Sequence, residues 1–189
     1  MPIPENAGQV LLPLARSAIA KKLKLPPVAV GEAAWLDEKA ASFVTLTIGG
    51  ELRGCIGSLV AHRTLRDDVT ANAAAAAFGD PRFEPLTVSE YPAIRVEVSV
   101  LSTPEPMSFT SRADALAQLR PGVDGLILTS GRHRATFLPQ VWDQLPSREE
   151  FVRALARKAG LAPDYWDNRM ELDRYQVRSW AEPTPGTHP

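Results

Sequence analysis

Apolar and polar residues alternate through two neighbouring stretches of the chain, as they do in half-buried β-strands. The two stretches flank Gly49-Gly50, and a pair of glycines between β-prone runs is a strong signal for a hairpin loop. We therefore predict paired antiparallel strands over residues 43–48 and 51–57. Alternation returns over residues 94–100, in a second hairpin over 125–141 that turns at Ser130-Gly131, and over 171–180.

Apolar residues recur at helical spacing in four other stretches. The first covers residues 8–25, and Pro13 is expected to start or to kink it. The second covers residues 64–79, where a capping box precedes a run of alanines that favours both helix formation and close packing on a sheet. Two more helices are predicted, one capped near Thr110 or Ser111 and one from Ser147 to Gly160.

The order of these elements indicates the fold class. Strands and helices are interspersed, but the strands pair as local hairpins, which predicts an α+β fold with a mixed or antiparallel sheet and packed helices. The length of 189 residues suits one domain, or one domain with a small second lobe. We assign residues 8–181 to a single domain, and the composition of residues 182–189 predicts a disordered tail.

Composition and charge exclude several classes of protein. Lys and Arg number 21 and Asp and Glu 22, so a net charge of −1 gives no bulk attraction to nucleic acid or to an anionic membrane. The sequence has no secretory signal and no apolar stretch of the roughly 20 residues that a membrane helix needs. A single cysteine fits a reducing compartment. We therefore expect a cytoplasmic protein.

The only cysteine, Cys55, lies in the segment LRGCIG at residues 52–57. Arg53 precedes it by about 6.6 Å along the predicted strand and on the same face, and a fixed cation there favours the thiolate. With a loop of only two glycines, Cys55 would face Val44 and Arg53 would face Leu46 across the hairpin. Those apolar neighbours favour the neutral thiol, so Cys55 is either a reactive group or an inert buried side chain.

Other candidate residues follow from what a reactive thiol needs. Gly54 and Gly57 leave the backbone bare beside Cys55, so we take both as candidate substrate-binding positions. A nucleophilic cysteine usually needs a base. His62, before the alanine-rich helix, and His133, on the second hairpin, are the candidates, although a histidine in a polar loop is more often simply solvated.

Glu97 lies among valines in a predicted strand and completes the set of candidate catalytic residues. It lies either on a solvated face or on a covered one, and on a covered face it needs a cation, which Arg53 or Arg95 could supply. No Cys–His or His–His pair has the spacing of zinc ligands, so no metal site is predicted. The basic segment GRHRAT contains no interleaved aromatic residues, so nucleic-acid binding is not expected.

Seven segments, SFVTL, LRGCIGS, DPRFEPL, VEVSVLS, GVDGLIL, FLPQVW and ARKAGL, occur in an order and spacing that resembles one family. It is the AMMECR family, whose bacterial members are called AmmeMemoRadiSam system protein A. The resemblance extends from about Leu11 to Trp180. It implies a larger lobe with a mixed sheet and helices and a smaller lobe with an antiparallel sheet, and it marks residues 52–57 as the family motif.

Two functional hypotheses remain open. The family name implies association with a Memo-like protein, which resembles extradiol dioxygenases, and with a radical S-adenosylmethionine protein. The chain is then a component of an enzyme system, with Cys55 as nucleophile or redox centre and Arg53 favouring the thiolate or holding a small or anionic substrate. The sequence does not specify a cofactor. The alternative is a non-catalytic binding or adaptor module in which LRGCIG is structural. A concave site where Arg53, Glu97 and a histidine converge favours the first, and a flat apolar surface the second.

Overall fold

The computed structural model describes residues 3–167 and 169–183. The helices are α1 (Gly8–Lys22), α2 (Leu65–Phe78), α3 (Arg112–Gln118) and α4 (Arg148–Lys158), with short 3-10 helices at Glu5–Ala7, Ala34–Asp37 and Pro139–Asp143. The strands are β1 (Ser42–Ile48), β2 (Glu51–Gly57), β3 (Arg95–Leu101), β4 (Glu105–Pro106), β5 (Gly125–Ser130), β6 (His133–Phe137), β7 (Glu171–Tyr175) and β8 (Val177–Ala181).

The strands form two four-stranded antiparallel sheets, in the orders β2-β1-β3-β8 and β4-β7-β5-β6. Together with the helices, they confirm the α+β class. The chain divides into two compact units, of which the first combines residues up to Leu101 with residues from Arg178 onward, and the second is Ser102–Val177. No helix among the described residues is long and apolar enough to cross a membrane.

The first unit builds its core between one face of its sheet and helices α1 and α2. Val44, Leu46, Val96 and Val98 alternate with partly exposed residues along β1 and β3 and are fully buried. Burying each of these side chains contributes about 1.5–3 kcal/mol to stability. The alanines of α2 pack against this face, as their small size predicts.

Helix α1 and the residues after β8 form the two ends of the first unit. Helix α1 begins at Gly8 and continues through Pro13, so the proline is not its first residue. Glu182, the first residue of the predicted tail, accepts hydrogen bonds from the Arg16 guanidinium at 2.8 Å and donates its own N–H to Val96. Residues 184–189 of the predicted tail lie outside the described residues.

The second unit packs its sheet against α3 and α4. Its core includes Phe151, whose ring stacks on Trp142 at a centroid distance of 3.7 Å. Ser147 caps α4 by accepting a hydrogen bond from the Glu150 N–H, as the capping box predicts. The second hairpin forms, but its two-residue loop is Gly131 and Arg132, one residue later than predicted.

Candidate functional site

A β-bulge at Arg53 determines which way Cys55 faces. The predicted hairpin is confirmed, and its loop glycines have φ of 60° and 88°, the left-handed values that this tight turn requires. However, Thr47 pairs with Leu52 and Leu46 pairs with Gly54, so Arg53 is an extra residue on β2. The predicted pairing of Cys55 with Val44 is therefore wrong, because the bulge shifts the register by one residue.

The shifted register places Cys55 opposite Thr45, on the sheet face that points away from α1 and α2. The Thr45 hydroxyl donates a hydrogen bond to the Cys55 Sγ at 3.3 Å, and Cys55 is half-buried. The predicted pairing of Arg53 with Leu46 fails for the same reason. The thiol consequently has a polar neighbour across the strand instead of the apolar one that the unshifted register would give.

Asp80 and Arg82 complete the backbone hydrogen bonding of Cys55. Strand β2 is the edge of the first sheet, so the N–H and C=O of Cys55 point outward. The Asp80 Oδ2 accepts from the Cys55 N–H at 2.9 Å, and the Arg82 Nη2 donates to the Cys55 carbonyl at 3.3 Å. The DPRF segment thus lies along the LRGCIG segment, although neither Asp80 nor Arg82 was among the predicted site residues.

The same two side chains form an ion pair beside the thiol. Arg82 and Asp80 lie 2.7 Å apart, with exposed fractions of 53% for the Arg82 side chain and 2% for that of Asp80. Hydrogen bonds from Arg82 and from the Cys55 N–H lower the pKa of Asp80 well below its ordinary value. The pKa of Arg82 is raised, mainly by its hydrogen bonds to Asp80 and in smaller part by the charge of the Cys55 side chain. The Arg82 cation therefore lies within electrostatic reach of the sulfur.

Arg53 binds a carboxylate of its own. Its Nε donates to the Glu90 Oε1 at 2.9 Å, and its Nη2 donates to the other Glu90 oxygen at 3.3 Å. Hydrogen bonds from Arg53 and Thr87 lower the pKa of Glu90 from 4.5 to about 2. The guanidinium of Arg53 is also 5.8 Å from the centre of the Phe83 ring. Because Glu90 matches its charge, Arg53 has less influence on the thiol than its position in the sequence suggests.

The two glycines of the motif both meet other parts of the protein. A Cβ on Gly54 would overlap the Ala76 carbonyl of α2, and a Cβ on Gly57 would overlap the Phe43 ring. These contacts give each glycine a packing role, because α2 and Phe43 occupy the space beside the backbone. Their role in substrate binding stays a prediction.

The remaining predicted catalytic residues, His62, His133 and Glu97, lie in three different segments of the chain. His62 is exposed in the loop before α2, and its side chain makes no hydrogen bond within the described residues. His133 lies in the second unit, where its Nδ1 is 2.9 Å from the Ala159 carbonyl oxygen. Glu97 pairs with Thr45 on the side of β1 opposite Cys55. Cys55, Thr45 and Glu97 therefore form one row across three strands.

Comparison with known proteins identifies the family. The AMMECR1 family model matches residues 12–180. The chain belongs to the AMMECR1 family. This AMMECR1-family chain is 39% identical to a protein of Methanothermobacter thermautotrophicus, over 96% of the chain and 97% of the relative. It is 36% identical to a protein of Saccharolobus solfataricus, over 96% of the chain and 84% of the relative.

A solved structure supports the fold of this AMMECR1-family chain. The crystal structure of an uncharacterized protein from Pyrococcus horikoshii matches with a TM-score of 0.78 and 33% sequence identity, over 95% of this chain and 93% of that one. Among the residues that the structure describes, no group of three or more His, Cys, Asp or Glu side chains is arranged to hold a metal ion.

Proposed function

We propose that this protein is a component of an enzyme system that acts with a Memo-like protein and a radical S-adenosylmethionine protein, and that its Cys55 site binds or modifies a small anionic substrate. The association with these partners rests on the family resemblance. The site rests on one observation, which is that the half-buried Cys55 lies beside the exposed guanidinium of Arg82, which donates to its carbonyl. In a cytoplasmic location, the reducing environment would keep Cys55 as a thiol.

The hydrogen bonds of Arg82 prepare its guanidinium to hold an anion. Asp80 accepts from Nε and Nη2, which fixes the plane of the group, and the hydrogen bonds of Arg82 within the described residues leave its Nη1 unused. An arginine whose orientation is already fixed loses less conformational entropy when it binds a carboxylate or phosphate. The Thr45 hydroxyl meanwhile donates a hydrogen bond to the sulfur, which holds the side chain in place on this face. The arrangement therefore suits a nucleophilic thiol that meets an anionic substrate.

Labelling of the native protein with iodoacetamide at constant pH tests the site. We expect Arg82→Gln to slow the labelling of Cys55 by about threefold, because one unit charge at roughly 6 Å in a water-like dielectric changes the thiolate population by about that factor. Arg53→Gln should have a smaller effect, because Arg53 binds Glu90 and makes no hydrogen bond to Cys55, whereas Arg82 donates to the Cys55 carbonyl. Equal rates for the parent and Arg82→Gln would contradict the electrostatic basis of the site.

Arg66→Gln is the matched control for this experiment. Arg66 pairs with Glu32 at 2.9 Å within the same unit, but it lies on α2, which packs on the sheet face opposite Cys55. Its replacement should leave the labelling of Cys55 unchanged. If Cys55 of the parent reacts only after unfolding, the thiol is structural and the proposed site is wrong.

The proposed partners call for a separate measurement. The Memo-like and radical S-adenosylmethionine proteins of the same organism would be co-expressed with this chain carrying an affinity tag. We expect at least one of them to co-elute with it at a fixed stoichiometry in size-exclusion chromatography after affinity capture. Elution of all three as separate species would remove the support for a shared enzyme system, without bearing on the chemistry of Cys55.

A second candidate function has an observation of its own in its favour. Gly54 packs on Ala76, and Asp80 and Arg82 bind the backbone of Cys55, so the LRGCIG segment holds the fold together whether or not the thiol reacts. This favours a non-catalytic adaptor whose motif is structural. Cys55→Ser distinguishes the two functions, because an adaptor variant would still support the activity of the assembled system, whereas loss of a thiol nucleophile would abolish it.

A further inference from the structure

Glu97 carries a negative charge that forms no direct ion pair within the described residues. It lies half-buried on an inner strand of the first sheet, where a carboxylate without a partner is less favourable than at an exposed position. Within the described residues, its carboxylate makes no hydrogen bond or ion pair. The two expected partners are engaged elsewhere, because Arg53 binds Glu90 and the Arg95 Nε donates to the Glu182 carbonyl at 2.6 Å.

The unmatched carboxylate lies on the same sheet face as the thiol. Glu97 and Cys55 are the two cross-strand partners of Thr45, so they are separated by two strand spacings, or about 10 Å. Arg82 lies just beyond Cys55, where it binds the Cys55 carbonyl at the open edge of the sheet. The thiol therefore lies between an anionic group on one side and a cationic group on the other.

We propose that this face binds a zwitterionic small molecule, whose amine pairs with Glu97 and whose carboxylate or phosphate pairs with Arg82. The inference rests on the proposed function of the Cys55 site and specifies its class of substrate. A ligand held at both ends would cross the sheet over Thr45 and place its middle atoms against the Cys55 sulfur. The two groups together favour a ligand that carries both charges, because Glu97 has no ion-pair partner within the described residues and Asp80 uses only the Nε and Nη2 of Arg82.

Charged thiol reagents test the proposal with Cys55 as the reporter. Each methanethiosulfonate reagent forms a disulfide with the thiolate and releases methanesulfinate, and the methyl, aminoethyl and sulfonatoethyl reagents transfer a neutral, a cationic and an anionic group by this one reaction. We expect Glu97→Gln to lower the ratio of the aminoethyl rate to the methyl rate by about twofold at low ionic strength, as removal of one charge about 10 Å away predicts. Arg82→Gln should lower the ratio of the sulfonatoethyl rate to the methyl rate in the same way.

Rate ratios separate failure of this inference from failure of the proposed function. The methyl reagent has no charge, so it reports the reactivity of the thiol itself. Glu51→Gln is the matched control. Glu51 is an exposed carboxylate at the start of β2, the strand that contains Cys55, and its replacement should leave both ratios unchanged. An unaltered aminoethyl ratio in Glu97→Gln overturns the zwitterion proposal alone, whereas a Cys55 that no reagent labels in the folded protein overturns both.

A measurement without the thiol completes the test. In Cys55→Ser, titration with 8-aminooctanoate should shift the backbone amide resonances of β1, β2 and β3 in a saturable manner. Octanoate, which lacks the amine, should bind more weakly by about threefold or more, and Glu97→Gln should abolish the difference between the two probes. Equal binding of both probes to the protein with Glu97 intact would show that the carboxylate recognises no amine and would overturn the proposal.

Discussion

Replacement of Gly54 by alanine is expected to lower the free energy of unfolding by about 3 kcal/mol, at the upper end of the range for overpacked cores, and replacement by valine by more. The added Cβ would overlap the Ala76 carbonyl oxygen, which belongs to the backbone of α2 and cannot move without moving the helix. Denaturant unfolding followed by far-UV circular dichroism measures the change. The labelling rate of Cys55 in the same variants reports whether the site shifts with the helix.

Gly31→Ala is the matched control for the Gly54 substitution. A Cβ on Gly31 would lie 3.4 Å from the nearest atom, a side-chain carbon of Val10, which is an ordinary contact. The free energy of unfolding of Gly31→Ala should stay within about 0.5 kcal/mol of the parent value, as for most surface substitutions. A Gly54→Ala variant as stable as Gly31→Ala would mean that α2 does not constrain this strand.

Replacement of Asp80 by asparagine is expected to lower the melting temperature strongly. The change removes the charge that Arg82 pairs with, and at most one amide oxygen remains for the Cys55 and Arg82 N–H groups that the carboxylate now binds. A carboxyl group whose pKa is lowered by folding contributes stability that is present above its ordinary pKa and is lost as the pH falls through the lowered one. The parent should therefore lose stability below about pH 4, and Asp80→Asn should lose less over that interval.

Differential scanning calorimetry from pH 2 to pH 7 measures both effects, with Asp143→Asn as the control. Asp143 is exposed and makes no ion pair within the described residues, so its replacement should leave the melting temperature nearly unchanged. If Asp80→Asn and the parent have the same melting temperature at pH 7, the carboxylate does not hold the edge of the sheet. Identical slopes below pH 4 would contradict the lowered pKa.

The hairpin could be predicted from sequence, whereas its register could not. Two glycines between alternating runs specify a two-residue turn through local backbone preferences alone. A bulge has no such local signature at Arg53, because it depends on how the strand accommodates α2 on one side and Glu90 on the other. One extra residue moves Cys55 from the buried side of the hairpin to the open one.

The charged partners of Arg53 and Cys55 could not be predicted from the sequence, for a different reason. Arg53 pairs with Glu90, 37 positions along the chain, and the Cys55 N–H pairs with Asp80, 25 positions along. Hydrophobic patterns and secondary-structure propensities describe residues that are neighbours within one helix or strand. The contacts of Arg53 and Cys55 arise only when the loop after α2 folds back along β2. The DPRFEPL segment was part of the family resemblance, but only the folded structure shows that its Asp80 and Arg82 bind the backbone of Cys55.

The fourth strand of the first sheet affects the order in which the parts of the protein fold during synthesis. Strand β8 follows the whole second unit in sequence, so the ribosome completes residues 102–177 before β8 exists. The second unit is one continuous segment, so it can begin to fold as soon as it is synthesised. One edge of β3 stays unpaired until β8 emerges. The nascent chain thus has to shield that edge from other unfinished chains for the time needed to translate an entire unit. Slow translation through this stretch would lengthen the exposure, and rapid translation would shorten it.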